Sequence, residues 1–311
     1  MKKLLLKYWF IWLIGAGSFL SSLYAYAPYF VVEVKNPFIM TAKEWIEEPV
    51  RPVIQNNQKN LMIPGYENTA LSIRITYSQK QPAKGSIILL HGIRSDKNSL
   101  IAQENYFSRQ GFNTIAMDLR GHGNSQGEYC TYGFKEKKDV SALIDFILKK
   151  TDLQTPIGIF GHSLGGAVAL QALAYDKRLE FGIIESSYSD FSKITSDYND
   201  YYAGFSAELW TQDLLERSGK IAGFDPQKIN PAESCKKITQ AVFIAHGTED
   251  QKVNPKYAKI NFINLSSKKK VFYPVEKAHH NDVWETGGKA YHQAILHFID
   301  QVISQEEKSQ S

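Results

Sequence analysis

Pro156-Ile157-Gly158-Ile159-Phe160-Gly161-His162-Ser163-Leu164-Gly165-Gly166-Ala167-Val168-Ala169-Leu170-Gln171-Ala172 is the stretch on which the fold is decided. Its first five residues form a short apolar run of strand length, and from Ala167 onward the residues are good helix formers. Between the two, Gly161-His162-Ser163-Leu164-Gly165 sets a serine on a tight strand-to-helix turn. Such a turn forces the serine outward from the sheet edge, and glycines two residues to either side relieve the crowding that it creates. The helix amino terminus beneath favours negative charge developing beside the serine. A serine that merely caps the following helix is the competing reading, and the strand-to-helix context favours a nucleophile.

Working outward, similar apolar runs bounded by turn signals recur at residues 86–90, 112–117, 181–184, 241–245 and 271–275. Amphipathic segments separate them. In residues 137–150, for instance, Val140, Leu143, Ile144, Phe146, Ile147 and Leu148 gather largely on one side. Strands buried on both faces and alternating with helices indicate an α/β fold, a mostly parallel central sheet flanked by helices. Residues 71–77 alternate with period two and predict a strand with one wet face. The rhythm breaks once, between Glu185 and Gln240, a span too long for a bare loop. That stretch carries Tyr188, Phe191, Tyr198, Tyr201, Tyr202, Phe205, Trp210 and Phe224, and predicts an inserted helical cap at about 187–235.

At the amino terminus Lys2, Lys3 and Lys7 precede an uncharged stretch from Tyr8 to Ala27, roughly 30 Å long as a helix and enough to cross a bilayer. Residues 1–32 are therefore expected to be a membrane-targeting segment, with the α/β domain at 33–311. Ala25-Tyr26-Ala27 resembles a signal-peptide cleavage site, but Pro28 just after it disfavours cleavage. An uncleaved signal anchor is the preferred reading, with the catalytic domain extracytoplasmic by the positive-inside rule. A cleaved, secreted or periplasmic form is the alternative, and a buried amino-terminal core helix is the competing structural reading. The net charge of +4 includes no basic stripe, which argues against a nucleic-acid partner. Cys130 and Cys235 lie in no metal-ligand spacing and leave at most one disulfide. Oligomeric state is not legible.

Two further loops can meet Ser163. Residues 241–245 run into His246-Gly247-Thr248-Glu249-Asp250, where an acid at the end of a late strand can orient a histidine. Asp250 is preferred there, with Glu249 and Asp190 as alternatives. Residues 270–275 are followed by Ala278-His279-His280-Asn281-Asp282. His280 is the expected base and His279 the alternative, while His292 and His297 read as packing or surface residues. Upstream, residues 86–90 lead into His91-Gly92-Ile93. The backbone amides of Ile93 and Leu164 are the expected oxyanion donors, and His91 a structural residue.

The order Ser, Asp, His on alternating strands and helices resembles the α/β-hydrolase fold. Asp118-Leu119-Arg120-Gly121-His122-Gly123-Asn124-Ser125 is similar to the D-x-R-G-H-G-x-S segment of its esterase, monoacylglycerol lipase and serine-aminopeptidase-like branch. The resemblance covers about residues 70–305. It implies structural roles for Asp118 and Arg120, and supports His280 because Asn281-Asp282 matches a G-H-N-D form, with His279 in place of the usual glycine. It further implies carboxylic ester hydrolysis of a small-molecule ester or acyl substrate, with no cofactor and no metal. An aminopeptidase-like or amide hydrolase is the alternative, since Glu208, Asp213 and Glu216 on the cap could hold a free amine. A non-catalytic, membrane-tethered binding module is the alternative of another class.

Overall fold

The computed structural model describes residues 21–22, 24–35, 57–150, 153, 155–203 and 208–310. The expected membrane-targeting stretch, Tyr8 to Ala27, falls mostly outside these residues. Among the described residues no helix is long and apolar enough to cross a membrane. Residues 24–32 form a helix, α1, whose end is already part of the body: Val32 and Val34 are buried in the main core. The division expected after residue 32 thus falls at the end of a helix packed onto the domain.

Among the described residues eight strands make one sheet: β1 (Gln58–Pro64), β2 (Ala70–Thr76), β3 (Gly85–Leu90), β4 (Phe112–Met117), β5 (Ile157–His162), β6 (Phe181–Glu185), β7 (Ala241–Gly247) and β8 (Lys270–Val275). Their order is β1-β2-β4-β3-β5-β6-β7-β8, antiparallel from β1 through β4 and parallel from β4 to β8. Helices α2 (Ile101–Gln110), α3 (Glu136–Leu148), α4 (Leu164–Tyr175), α8 (Lys256–Asn264) and α9 (Val283–Gln310) cover the two faces. The period-two geometry of a strand sends neighbouring side chains to opposite layers. Ile88 and Leu90 join the layer containing α3 and α4, whereas Ile87 and Leu89 join the layer containing Phe107 of α2 and Tyr291, Ile295 and Phe298 of α9. Between β6 and β7 lie α5 (Phe191–Ala203), α6 (Glu208–Ala222) and α7 (Pro231–Cys235). Cys130 and Cys235 are unbridged and buried, and burial pushes the Cys235 thiol up to about 12.

The wet face expected on residues 71–77 is not wet. Ser72, Arg74 and Thr76 are buried as completely as Leu71, Ile73 and Ile75. Their polar atoms are satisfied inside the protein: Arg74 Nε donates to Glu104 Oε2 at 2.9 Å, and Arg74 Nη1 to Asn98 Oδ1 at 2.8 Å. Thr76 Oγ1 donates to Glu104 Oε2 at 2.7 Å, and Lys97 Nζ donates to Ser72 Oγ at 2.8 Å. The alternation is real, but α2 and the turn before it cover its polar side.

A buried ion pair is costly to break because it strands the remaining charge. Glu104→Ala should therefore destabilise the fold by about 3–5 kcal/mol in urea unfolding, whereas Lys84→Ala, at the exposed Lys84–Asp300 pair, should cost less than about 1 kcal/mol. Equal small losses in both would show that Arg74 does not depend on Glu104.

Candidate active site

Parallel pairing from β3 to β8 brings the carboxyl ends of these strands to one edge of the sheet. There Leu90 is in register with Gly161, His162 with Glu185, Glu185 with Ala245, and Gly247 with Val275. The loops that carry Ile93, Ser163, Asp250 and His280 all leave from this edge.

Ser163 caps α4 with φ +53° and ψ −115°, a conformation an L-residue adopts only when its surroundings impose it. Its N–H donates to Glu185 O at 2.8 Å and its carbonyl accepts from Ala167 N at 3.1 Å. The turn also needs two bare α-carbons. A Cβ at Gly161 would lie 2.2 Å from Gly165 O, and one at Gly165 would lie 2.3 Å from Leu90 O.

The three side chains singled out in the sequence come together. His280 Nε2 lies 2.9 Å from Ser163 Oγ, and His280 Nδ1 lies 2.7 Å from Asp250 Oδ2. All three are at least nine-tenths buried. Asp250 Oδ1 accepts the N–H groups of Lys252 and Val253, both at 2.9 Å, and His246 Nε2 stands 3.0 Å from Oδ2. Burial alone would raise the Asp250 carboxyl, but hydrogen bonds from His246, His280 and the Val253 amide outweigh it, holding the group well below the usual carboxylate range. Burial lowers His280 below the ordinary histidine value of 6.5, although the bond to Asp250 opposes the shift. With Asp250 acting only as an acceptor, Nδ1 carries the imidazole proton, and Nε2 is left to accept from the serine hydroxyl.

The turn after β3 lies against the nucleophile: a Cβ on Gly92 would stand 3.5 Å from Ser163 Cβ. Ile93 and Leu164 line the same cavity as Ser163, and among the described residues neither backbone N–H is paired with an acceptor. His91 does not face this chemistry. Its Nε2 accepts from Leu119 N at 3.0 Å and its Nδ1 lies 2.7 Å from Gly92 O, while burial lowers it to about 4 and keeps it neutral.

The alternatives lie elsewhere. His279 is exposed, with Nδ1 3.0 Å from Glu249 O, and Glu249 is exposed beside it. Asp190 accepts from Lys193 N and Asn230 Nδ2, both at 2.9 Å. His292 stacks on Trp284 with centroids 4.1 Å apart, and His297 is exposed beside Gln301. Asp118 holds Lys97 through Nζ at 2.6 Å and the backbone N–H at 2.8 Å. Arg120 makes two 2.7 Å bonds to Asp139 of α3, so the D-x-R-G-H-G segment is fastened to the body.

Sequence reasoning passed over four residues beside the site. His162 Nδ1 lies 2.9 Å from Glu185 Oε1, and Glu185 Oε2 accepts from Tyr291 Oη at 2.9 Å. The His162 ring stands 5.2 Å from that of His280. His162 sits inside the quoted turn, but its partner becomes visible only with the β5–β6 register. His246, which backs Asp250, was visible in sequence four residues before it.

A cavity of about 820 Å³ opens onto Ser163, walled mainly by apolar and aromatic side chains including Ile93, Leu100, Tyr188, Phe191, Trp210 and Trp284. Among the described residues no cluster of side chains could hold a metal ion.

Residues 81–192 match the serine aminopeptidase (S33) family model, a span that holds the turn at Ser163 but neither Asp250 nor His280. Among solved structures, the Pyrococcus furiosus esterase Pf2001 superposes with a TM-score of 0.64 at 21% identity, covering 78% of this chain and 90% of that one. The chain has the α/β-hydrolase fold. Est1E of Butyrivibrio proteoclasticus with ferulic acid bound superposes with a TM-score of 0.62 at 18% identity, covering 78% and 99%. In sequence, the chain is 24% identical to the uncharacterized protein YqkD of Bacillus subtilis over 69% of its length and 71% of the relative's. It is 27% identical to caffeoylshikimate esterase of Arabidopsis thaliana over 64% and 71%.

The charge state of His280 makes a testable statement. Protonation removes its ability to accept from Ser163, so modification of the serine by a fluorophosphonate should slow as pH falls. Because burial lowers the group, the half-point should lie below 6.5, with a plateau through pH 7 to 8. A half-point above 6.5 in the rate-versus-pH profile would contradict the assignment.

Proposed function

We propose that this chain is a serine hydrolase that cleaves carboxylic esters carrying a sizeable apolar or aromatic group, through a covalent acyl-enzyme. The observation that carries the reading is the hydrogen-bonded line from Ser163 Oγ to His280 Nε2 and from His280 Nδ1 to Asp250 Oδ2. As the serine oxygen bonds to the ester carbonyl carbon, its proton passes to Nε2, and Asp250 stabilises the imidazolium that results. The negative charge on the former carbonyl oxygen is received by the N–H groups of Ile93 and Leu164, at the amino terminus of α4. Collapse of this intermediate breaks the bond to the alcohol oxygen, which leaves with the proton from His280. Water then attacks the acyl-enzyme by the same route, releasing the acid and restoring Ser163.

An ester is favoured over an amine-bearing peptide by the lining of the cavity. Asp213 is taken up by Tyr24 and Arg217, and Glu216 is exposed; neither lines the cavity beside Ser163. Of the two carboxylates that do, Glu185 is already engaged by His162 and Tyr291, and Glu285 is exposed. Aromatic walls suit a hydrophobic group, and the esterase names among the relatives and structural neighbours agree with that choice.

A fluorophosphonate should label the native protein at one site, and Ser163→Ala and His280→Ala should abolish labelling. In assays with aryl and alkyl esters of graded length, Asp250→Asn should lower kcat on the order of 10⁴-fold by leaving His280 in the wrong tautomer. Equal labelling of all three proteins, or cleavage confined to amino-acid amides, would overturn the ester-hydrolase reading.

A further inference from the structure

Helix α1 lies ahead of the sheet in sequence, yet it is held by several separate parts of the fold. Tyr24 Oη donates to Asp213 Oδ2 at 2.9 Å, and both Nη atoms of Arg217 donate to Tyr24 O at 2.8 Å, while the guanidinium lies 3.8 Å over the tyrosine ring. Ser218 Oγ donates to Pro28 O at 3.1 Å. These contacts bind the helix to α6.

The other end is fastened differently. The last four carbonyls of a helix have no partner within it, and here each is supplied with one. Tyr29 O accepts from Glu33 N, Phe30 O from Arg94 Nη2, Val31 O from Tyr132 Oη and Val32 O from Cys130 N. Arg94 follows the proposed oxyanion residue Ile93 directly, so the end of α1 is fixed to the turn that faces the nucleophile.

Between these attachments, Ala27, Phe30 and Val31 fall at the three- and four-residue spacing of one helical face, and all three line the cavity that contains Ser163 and His280. Tyr24 packs against Trp210 with centroids 5.4 Å apart, and Trp210 lines the same cavity from the cap. Tyr26 is 64% exposed and takes no part in the lining.

We propose that α1 is a wall of the substrate cavity, and that Ala27 and Phe30 set the size of the group accepted beside Ser163. The inference deepens the ester-hydrolase reading and rests on it for the identity of the ligand. A residue that projects into such a cavity acts on long and short substrates unequally, because only the longer group reaches it. A merely structural residue would alter all rates by a common factor.

The test uses the full chain and the parent, Ala27→Trp, Phe30→Ala and Tyr26→Ala proteins, each checked for a cooperative thermal transition. The quantity read is the ratio of kcat/KM for a decanoyl ester to that for an acetyl ester. Filling the cavity in Ala27→Trp should lower this ratio about tenfold, and Phe30→Ala should raise it several-fold, on the scale that a few methylenes contribute in an apolar pocket. Tyr26→Ala should leave it within about twofold. If both lining variants keep the parent ratio within about twofold, the wall is refuted, and Phe30→Ala decides alone should Ala27→Trp fail to fold. If the parent cleaves no ester, the ester-hydrolase reading falls, and the same variants are compared through the Kd of a fluorescent long-chain fatty acid. A weakening of about tenfold in Ala27→Trp but not in Tyr26→Ala then still upholds the wall, and an unchanged Kd overturns it.

Discussion

The site depends on a backbone held where backbones do not willingly go. Ser163 sits at φ +53°, at a cost of about 1–3 kcal/mol for a residue with a side chain. The surroundings make that state the only one available. Gly161 and Gly165 come so close that neither tolerates a Cβ, Glu185 O accepts the Ser163 N–H, and α4 is buried from Leu164 through Leu173. Small residues let this helix approach the sheet, and close packing resists its retreat. The serine oxygen is exposed to the cavity because relaxing it would mean separating α4 from β3.

Electrostatics repeat the same economy of position. Buried polar groups are costly unless paired, and the principal buried carboxylates here have assigned partners. Glu104 takes Arg74, Asp139 takes Arg120, Asp118 takes Lys97, and Glu185 takes His162 and Tyr291. Asp250, like Glu185, has no fixed cation beside it, and its partners are imidazoles and backbone N–H groups. It therefore stays ionised without being neutralised outright, and its charge remains available to a proton arriving on His280.

Much of this was legible in the chain. The parallel strands declared themselves as short apolar runs because they are buried on both faces, and the turn at Ser163 because close approach demands glycine at fixed offsets. Ser163, Asp250 and His280 could be named since each follows such a run, and the structure brings them into one hydrogen-bonded line. The polar face of β2 could not be read: period two shows which residues share a face, not what covers it, and Arg74 is paired with a glutamate thirty positions away. The pairing of His162 with Glu185 needed strand register, and the docking of α1 needed the cap. An apolar stretch behind lysines looks the same whether it enters a bilayer or lines a cavity, so the last residues of that stretch, 24–27, gave no hint of their place beside Trp210.

The order of the strands also bears on biosynthesis. A chain emerging from the ribosome presents the turn at Ser163 well before the strand that precedes His280, and Tyr291, which steadies Glu185 behind that turn, comes later still. A nascent or prematurely terminated product would therefore carry the alcohol without its proton acceptor. Reactivity is withheld until nearly the whole polypeptide has been made, and the cell is spared catalytically competent fragments.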